Sequence, residues 1–168
     1  MVAQFFTTEQ VTKHLGLDAK KDKWRVVKFA ESAEYGIRPS VSAASGSGTR
    51  RHYDLENVCE IALALRLLET GLRSKAIGKI IRQVQQQGKM STKLNAISDE
   101  TGSFLLTIIR TPEPGKPLDK KREMLVRWVG GVEQAEAVWK ARPDRDLILV
   151  PLRQMFLELD RRLHDKEG

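Results

Sequence analysis

Cysteine is nearly absent from this chain: Cys59 is the only one in 168 residues. A single thiol forms neither an internal disulfide nor a cysteine-only metal cage, so an intramolecular disulfide framework is excluded. Histidine is scarce as well. His14, His52 and His164 are scattered, with none of the short ligand spacings that a zinc site requires, so no metal is expected. Long apolar runs are missing too, and nothing approaches the roughly 20 residues that cross a bilayer. The opening MVAQFFTTEQ has no basic region ahead of an apolar stretch and no small-residue cleavage site. A secretory signal and a membrane partner are therefore not expected, and the location is read as cytoplasmic. No repeat of solenoid length is present.

What is present is charge, unevenly placed. Residues 1–98 hold 16 Lys and Arg against 9 Asp and Glu, whereas residues 99–168 hold 13 of each. The first part carries the whole net charge of +7. A basic segment joined to a neutral one suits a polyanion-binding module followed by a module for assembly or sensing. Basic residues that merely solvate helix faces are the plainer alternative.

Helix signals dominate the basic part. In Phe6-Thr7-Thr8-Glu9-Gln10-Val11, Thr7 and Gln10 form a capping box, with Phe6 and Val11 as its hydrophobic staple. Val11 and Leu15 share a face until Gly16 supplies a left-handed stop. Asp18 or Asp22 caps a second helix, expected to run through Trp24, Arg25, Val27, Lys28 and Phe29 toward Tyr35, before Gly36 and Pro39. From Arg38 the sequence RPSVSAASGSGTRRHY loses helical period and reads as a hairpin, with Arg38, Arg50 and Arg51 flanking its tip. Asp54 caps a third helix with a stripe of Val58, Ile61, Ala62, Leu65 and Leu68, widened by Cys59, Leu63 and Leu67. Gly71 ends it. Ser74 caps a fourth helix, on which Ile77, Ile80, Ile81 and Val84 recur at helical spacing.

Residues 88–103 are polar and coincide with the change in charge balance, so a linker is placed there. Beyond it, Phe104 to Arg110 and Met124 to Val129 carry strand signals, Val132 to Ala141 a helix, Leu147 to Val150 a buried strand, and Leu152 to Leu163 a helix with Leu152, Phe156, Leu159 and Leu163 on one face. The expected architecture is mostly α: a basic, helical N-terminal domain at 1–87, the linker at 88–103, and a small α+β domain at 104–168.

The stretches TTEQVTKHLGL, YGIRP, GTRRHY and NVCEIALALRLLETGLRSKAIGKII, in this order, resemble the mercury-resistance regulator (MerR) family of winged helix-turn-helix transcription regulators, over about residues 5 to 84. The resemblance implies a helix-turn-helix, a basic wing and a following helix pair. It further implies sequence-specific binding of double-stranded DNA by a homodimer on an inverted repeat, with RNA polymerase as a further candidate partner. The interval from Lys28 to Pro39 is longer than the family's, and the family's sensing cysteines have no counterpart. An excisionase-like DNA-bending factor and a protein-interaction adaptor without DNA binding are the alternatives.

The candidate DNA-binding residues are Thr8, Lys20, Lys21, Lys23, Arg25, Lys28, Arg38, Arg50, Arg51 and His52. Arg50 and Arg51 are assigned to phosphates from the wing, where guanidinium groups displace counterions and fix register. Lys20, Lys21, Lys23, Arg25 and Lys28 are assigned to the second helix in the major groove, where Arg and Lys pair with guanine edges. Trp24, Phe29 and Tyr53 are expected in the core, and Cys59 as buried filler. Gly46 to Thr49 lacks the Gly-Lys-Ser/Thr continuation of a phosphate-binding loop. Asp144 and Asp146 have no positioned partner. No catalytic set, enzyme activity or cofactor is expected, and the later segment is left to dimerisation or to an unidentified effector.

Overall fold

A computed structural model describes residues 5–39, 51–88, 90, 104–110, 124–129, 131–141 and 145–164. The expected hairpin tip with Arg50 and Gly46 to Thr49, Asp144, and nearly all of the expected linker lie outside the described residues. The described chain is mostly helical. In order it forms β1 (Phe6–Thr7), α1 (Thr8–His14), α2 (Lys23–Glu31), β2 (His52–Tyr53), α3 (Leu55–Glu69), α4 (Ser74–Gln86), β3 (Phe104–Arg110), β4 (Met124–Val129), α5 (Val132–Lys140), β5 (Arg145–Pro151) and α6 (Leu152–His164). No helix among the described residues is long and apolar enough to cross a membrane.

The first helix starts as its sequence dictates. Thr7 Oγ1 accepts from the Gln10 amide at 3.3 Å, and Gln10 Oε1 accepts from the Thr7 amide at 2.8 Å, closing the capping box. After α1, Gly16 takes φ +71° with the Arg162 guanidinium of α6 lying over it, so a side chain there meets both backbone strain and a collision. His14 Nδ1 donates to the Arg162 carbonyl at 3.0 Å, which ties the C-terminal turns of α1 and α6 together.

The second helix is shorter than its sequence suggests. It stops at Glu31, and Ser32 to Tyr35 form a turn in which the Tyr35 amide donates to the Ser32 carbonyl at 3.1 Å. The Ser32 hydroxyl accepts from the Glu34 amide at 3.4 Å. This side-chain alternative to the helical ladder explains the early end. Leaving the helix lets Tyr35 and Ile37 enter the core, where Tyr35 meets Phe29 edge to face at 4.7 Å.

On α3, Asp54 caps as expected by accepting from the Asn57 amide at 2.9 Å. Every residue from Asn57 to Ala64 is buried, as befits a helix apolar around most of its girth. Leu68, expected on the stripe, is exposed at the end of the helix. Ser74 does not cap α4. It is the first helical residue, and its hydroxyl donates instead to the Glu34 carboxylate.

Helix α4 is the junction of the molecule. Ile77, Ile80, Ile81 and Val84 are fully buried, each contributing about 1.5–3 kcal/mol of burial. A second face, Ser74, Gly78 and Arg82 at one-turn spacing, receives the turn at 33–35, and Arg82 Nη1 donates to the Glu34 carbonyl at 3.4 Å. A third presents Gln83 and Gln87 to the sheet.

That sheet is antiparallel in the order β4-β3-β5, with Phe104 opposite both Val129 and Pro151. Successive strand residues face opposite sides. Val126, Ile148 and Val150 therefore join the main core, while Val129, Leu147 and Leu149 pack with Ala135 and Val138 of α5. The expected buried strand at 147–150 is the edge strand β5, which leaves Leu147, Ile148 and Leu149 half-buried. Leu152, Met155, Phe156 and Leu159 of α6 enter the same core as α1 and α3. A small ribbon, β1 with β2, pairs Phe6 with Tyr53 and Thr7 with His52.

Two predictions follow from this packing. A Cβ on Gly78 would overlap the Glu34 carbonyl oxygen. Alanine in place of a mid-helix glycine normally stabilises by about 1 kcal/mol, yet Gly78→Ala should destabilise by about 1–3 kcal/mol in urea unfolding. The second concerns Glu60 of α3, 4% exposed and accepting from Gln85 Nε2 at 2.8 Å. Burial, reinforced by Glu56 and Asp54 and opposed by hydrogen bonds from Gln85 and Asn57, raises its pKa from 4.5 to about 7. The folded chain thus binds the proton more tightly than the unfolded one. Stability from this group is full below about pH 4.5, falls as pH rises toward 7, and levels above, by on the order of 3 kcal/mol at most. Glu60→Gln should remove that fall across urea midpoints from pH 4 to 8, and an equally steep fall in the variant would assign it to other groups.

Candidate nucleic-acid interface

Helix α2 buries Val26 and Phe29 and turns the opposite face outward. Trp24, Val27, Lys28 and Glu31 lie on that face and, with Ser32, line an open groove of about 400 Å³. Trp24 is 57% exposed, where a core position is expected. The reason is geometric. A helix advances 100° per residue, so Trp24 stands about 200° from Val26, and a nine-residue helix has one buried face. The Arg25 guanidinium sits 5.7 Å and the Lys28 ammonium 6.0 Å from the indole centroid, within cation–π range.

Lys20 and Lys21 are exposed in the turn before α2, where Asp18 Oδ1 accepts from their backbone amides at 2.8 and 3.1 Å. Lys23 opens α2 and is exposed. Asp22, expected as a cap, makes no cap bond. Its carboxylate accepts from the Asp18 amide and pairs with Arg25 Nε at 3.4 Å.

Arg51, on the chain's return to β2, pairs with Glu31 at the C-terminal end of the outward face. This ion pair brings the chain entering β2 to α2, so Trp24, Arg25, Lys28 and Arg51 belong to one neighbourhood. Glu31 as countercharge was not visible in the sequence, because nothing local joins residues 31 and 51. His52 and Thr8 come together through the β1–β2 ribbon. His52 is paired with Thr7, and Thr8 is next in the chain. Both are half-buried. Tyr53 is fully buried as expected, with the Thr8 hydroxyl nearby but outside hydrogen-bonding geometry, and burial raises its phenol above 10.0.

Arg38 stands apart from this group. Its carbonyl accepts from Asn57 Nδ2 at 2.9 Å, and it lines a second cavity of about 480 Å³ with Gly36, Asn57, Glu60, Arg82 and Gln85. Arg82 escaped the sequence reading. Its signal was its place one turn beyond Gly78 and two beyond Ser74 on the face that receives the turn at 33–35.

Cys59 is buried, and burial together with Glu56, Glu60 and Asp54 pushes its thiol well above 9.0, which favours the protonated form. Among the described residues no group of three His, Cys, Asp or Glu could hold a metal ion. No protein-family model matches this chain, and comparison with curated proteins finds no match.

Proposed function

We propose that the chain is a non-enzymatic, sequence-specific regulator that binds double-stranded DNA through a winged helix-turn-helix of the MerR type. The observation that carries this reading is α2: a helix held by Val26 and Phe29 whose outward face offers Trp24 and Lys28, with Arg25, Lys20, Lys21 and Lys23 around it and Arg51 at its far end. An α-helix fits the major groove, and cations beside it neutralise the phosphates that border it. In this reading α1 and α2 are the helix-turn-helix, the β1–β2 ribbon is the root of the wing, and α3 with α4 supports both. The candidate set Thr8, Lys20, Lys21, Lys23, Arg25, Lys28, Arg38, Arg51 and His52, with Arg50 at the wing, divides into phosphate and base contacts. A homodimer would read an inverted repeat, with residues 104–168 supplying assembly or effector recognition and RNA polymerase as a further partner.

Selection of bound sites from random duplex DNA with the full chain tests this. A symmetric consensus is expected. Failure to enrich any duplex above a non-binding control overturns the reading. The Arg51–Glu31 pair gives a sharper prediction, because Glu31 places a carboxylate where phosphates must approach. Glu31→Gln should tighten binding to all duplexes and steepen the fall of log K with log salt, whereas Arg51→Ala should weaken binding to all of them and flatten that slope by about one. Salt titrations of the two variants with slopes equal to the unaltered chain would remove this end of α2 from the interface.

A further inference from the structure

Trp24 is the largest exposed side chain on α2, and phosphate attraction does not explain it. Lysines and arginines alone supply that attraction, and an indole in water is a standing cost that a helix surface avoids when it can. The indole brings apolar area and a single N–H donor. The Arg25 guanidinium and the Lys28 ammonium both stand within cation–π range of it and Val27 lines the same groove, so the outward face joins an apolar centre to two cations.

A partner matched to that face is apolar where it meets the indole and anionic beside it. A duplex offers this in its major groove, where the one apolar feature on the base edges is the C5 methyl of thymine and the phosphates run along the rims. Stacking on a base is the less favourable use. A side chain on a helix in the groove meets base edges, and exposing a base face costs a few kcal/mol of unstacking. Trp24 also lies in the first turn of α2, and a helix entering the groove by its N-terminal end brings the first turn nearest the bases.

We infer that Trp24 is a specificity-determining residue that selects an A·T pair in each half-site by packing its indole on the thymine methyl, with Arg25 and Lys28 holding the flanking phosphates or bases. The inference rests on the DNA-binding reading above and adds the base chemistry of that site. The indole gains contact only where a methyl is present, so the preference arises from apolar burial rather than from hydrogen bonding.

Replacing thymine by deoxyuridine removes the methyl and nothing else, which gives a direct test. Affinity of the full chain is measured on its selected duplex and on duplexes carrying deoxyuridine at each thymine in turn. At the contacted position the unaltered chain should lose about three- to fivefold, the equivalent of one buried methyl-sized group. Trp24→Ala should bind the thymine duplex more weakly and show no loss with deoxyuridine, while Trp24→Phe keeps part of the preference. The exposed position predicts unchanged circular dichroism and urea midpoint for both variants, so loss of fold does not imitate loss of contact. If Trp24→Ala retains full affinity, or retains the deoxyuridine penalty at every position, the inference is overturned while the DNA-binding reading stands. If the unaltered chain binds no duplex at all, both are overturned and the exposed indole belongs to a contact with another protein.

Discussion

The missing side chain at Gly78 sets how the helices meet. Because nothing projects from α4 at that point, the backbone of Glu34 settles directly on the helix, with Ser74 one turn before and Arg82 one turn after gripping the same residue. The turn that follows α2 is thereby fixed in place, and Tyr35 and Ile37 are driven into the core beside Phe29. Once the exit of α2 is anchored and Val26 and Phe29 are buried, its rotation about its own axis has no freedom left. The outward position of Trp24 and Lys28 is therefore a consequence of packing on the far side of the helix.

Polar residues inside α3 and on α4 serve the same anchoring. The chain from Gly36 to Arg38 has no regular secondary structure, yet it passes over buried surface, where its carbonyls need donors. Asn57 donates to the Arg38 carbonyl, and the Gln85 amide reaches both the Gly36 carbonyl and Glu60. A wholly apolar α3 would pack as tightly but leave this segment unsatisfied. The raised affinity of Glu60 for its proton is the electrostatic consequence of placing a carboxyl there, next to Glu56 and Asp54, with amides as its hydrogen-bond partners.

Local rules made much of the fold legible. The capping box at Thr7, the Asp54 cap, the apolar period of α4 and the β-branched run of β3 each depend on residues within a few positions, and each element stands where its sequence put it. The misreadings share a different cause. Trp24 reads as core, yet the Val26–Phe29 spacing sets the buried face of α2 and leaves Trp24 opposite it. The helix before Tyr35 looked continuous because the Ser32 turn competes with it by only two hydrogen bonds. Ser74 looked like a cap because its partner, Glu34, is 40 residues away. Of the candidate site, the lysines around α2 were legible as charge, whereas the Arg51–Glu31 pair and the Arg38–Arg82 cavity are products of tertiary structure alone.

The same junction helix also solves a problem at the sheet. As an edge strand, β4 would leave the outward N–H and C=O of Val126 unpaired. Gln83 Oε1 accepts from that N–H at 3.1 Å, and Gln87 Nε2 donates to that C=O at 2.9 Å. A glutamine carboxamide has the donor and acceptor of a peptide group, and two of them four residues apart, about 6 Å along the axis, present the pair a neighbouring strand would present. Val126 itself is buried, and both bonds are partly shielded from water. Helix α4 thus meets the turn after α2 on one face and the sheet edge on another, while α6 enters the core between α1 and α3. The neutral part of the chain is built into the support of α2, and the surface that α2 presents depends on residues more than a hundred positions beyond it.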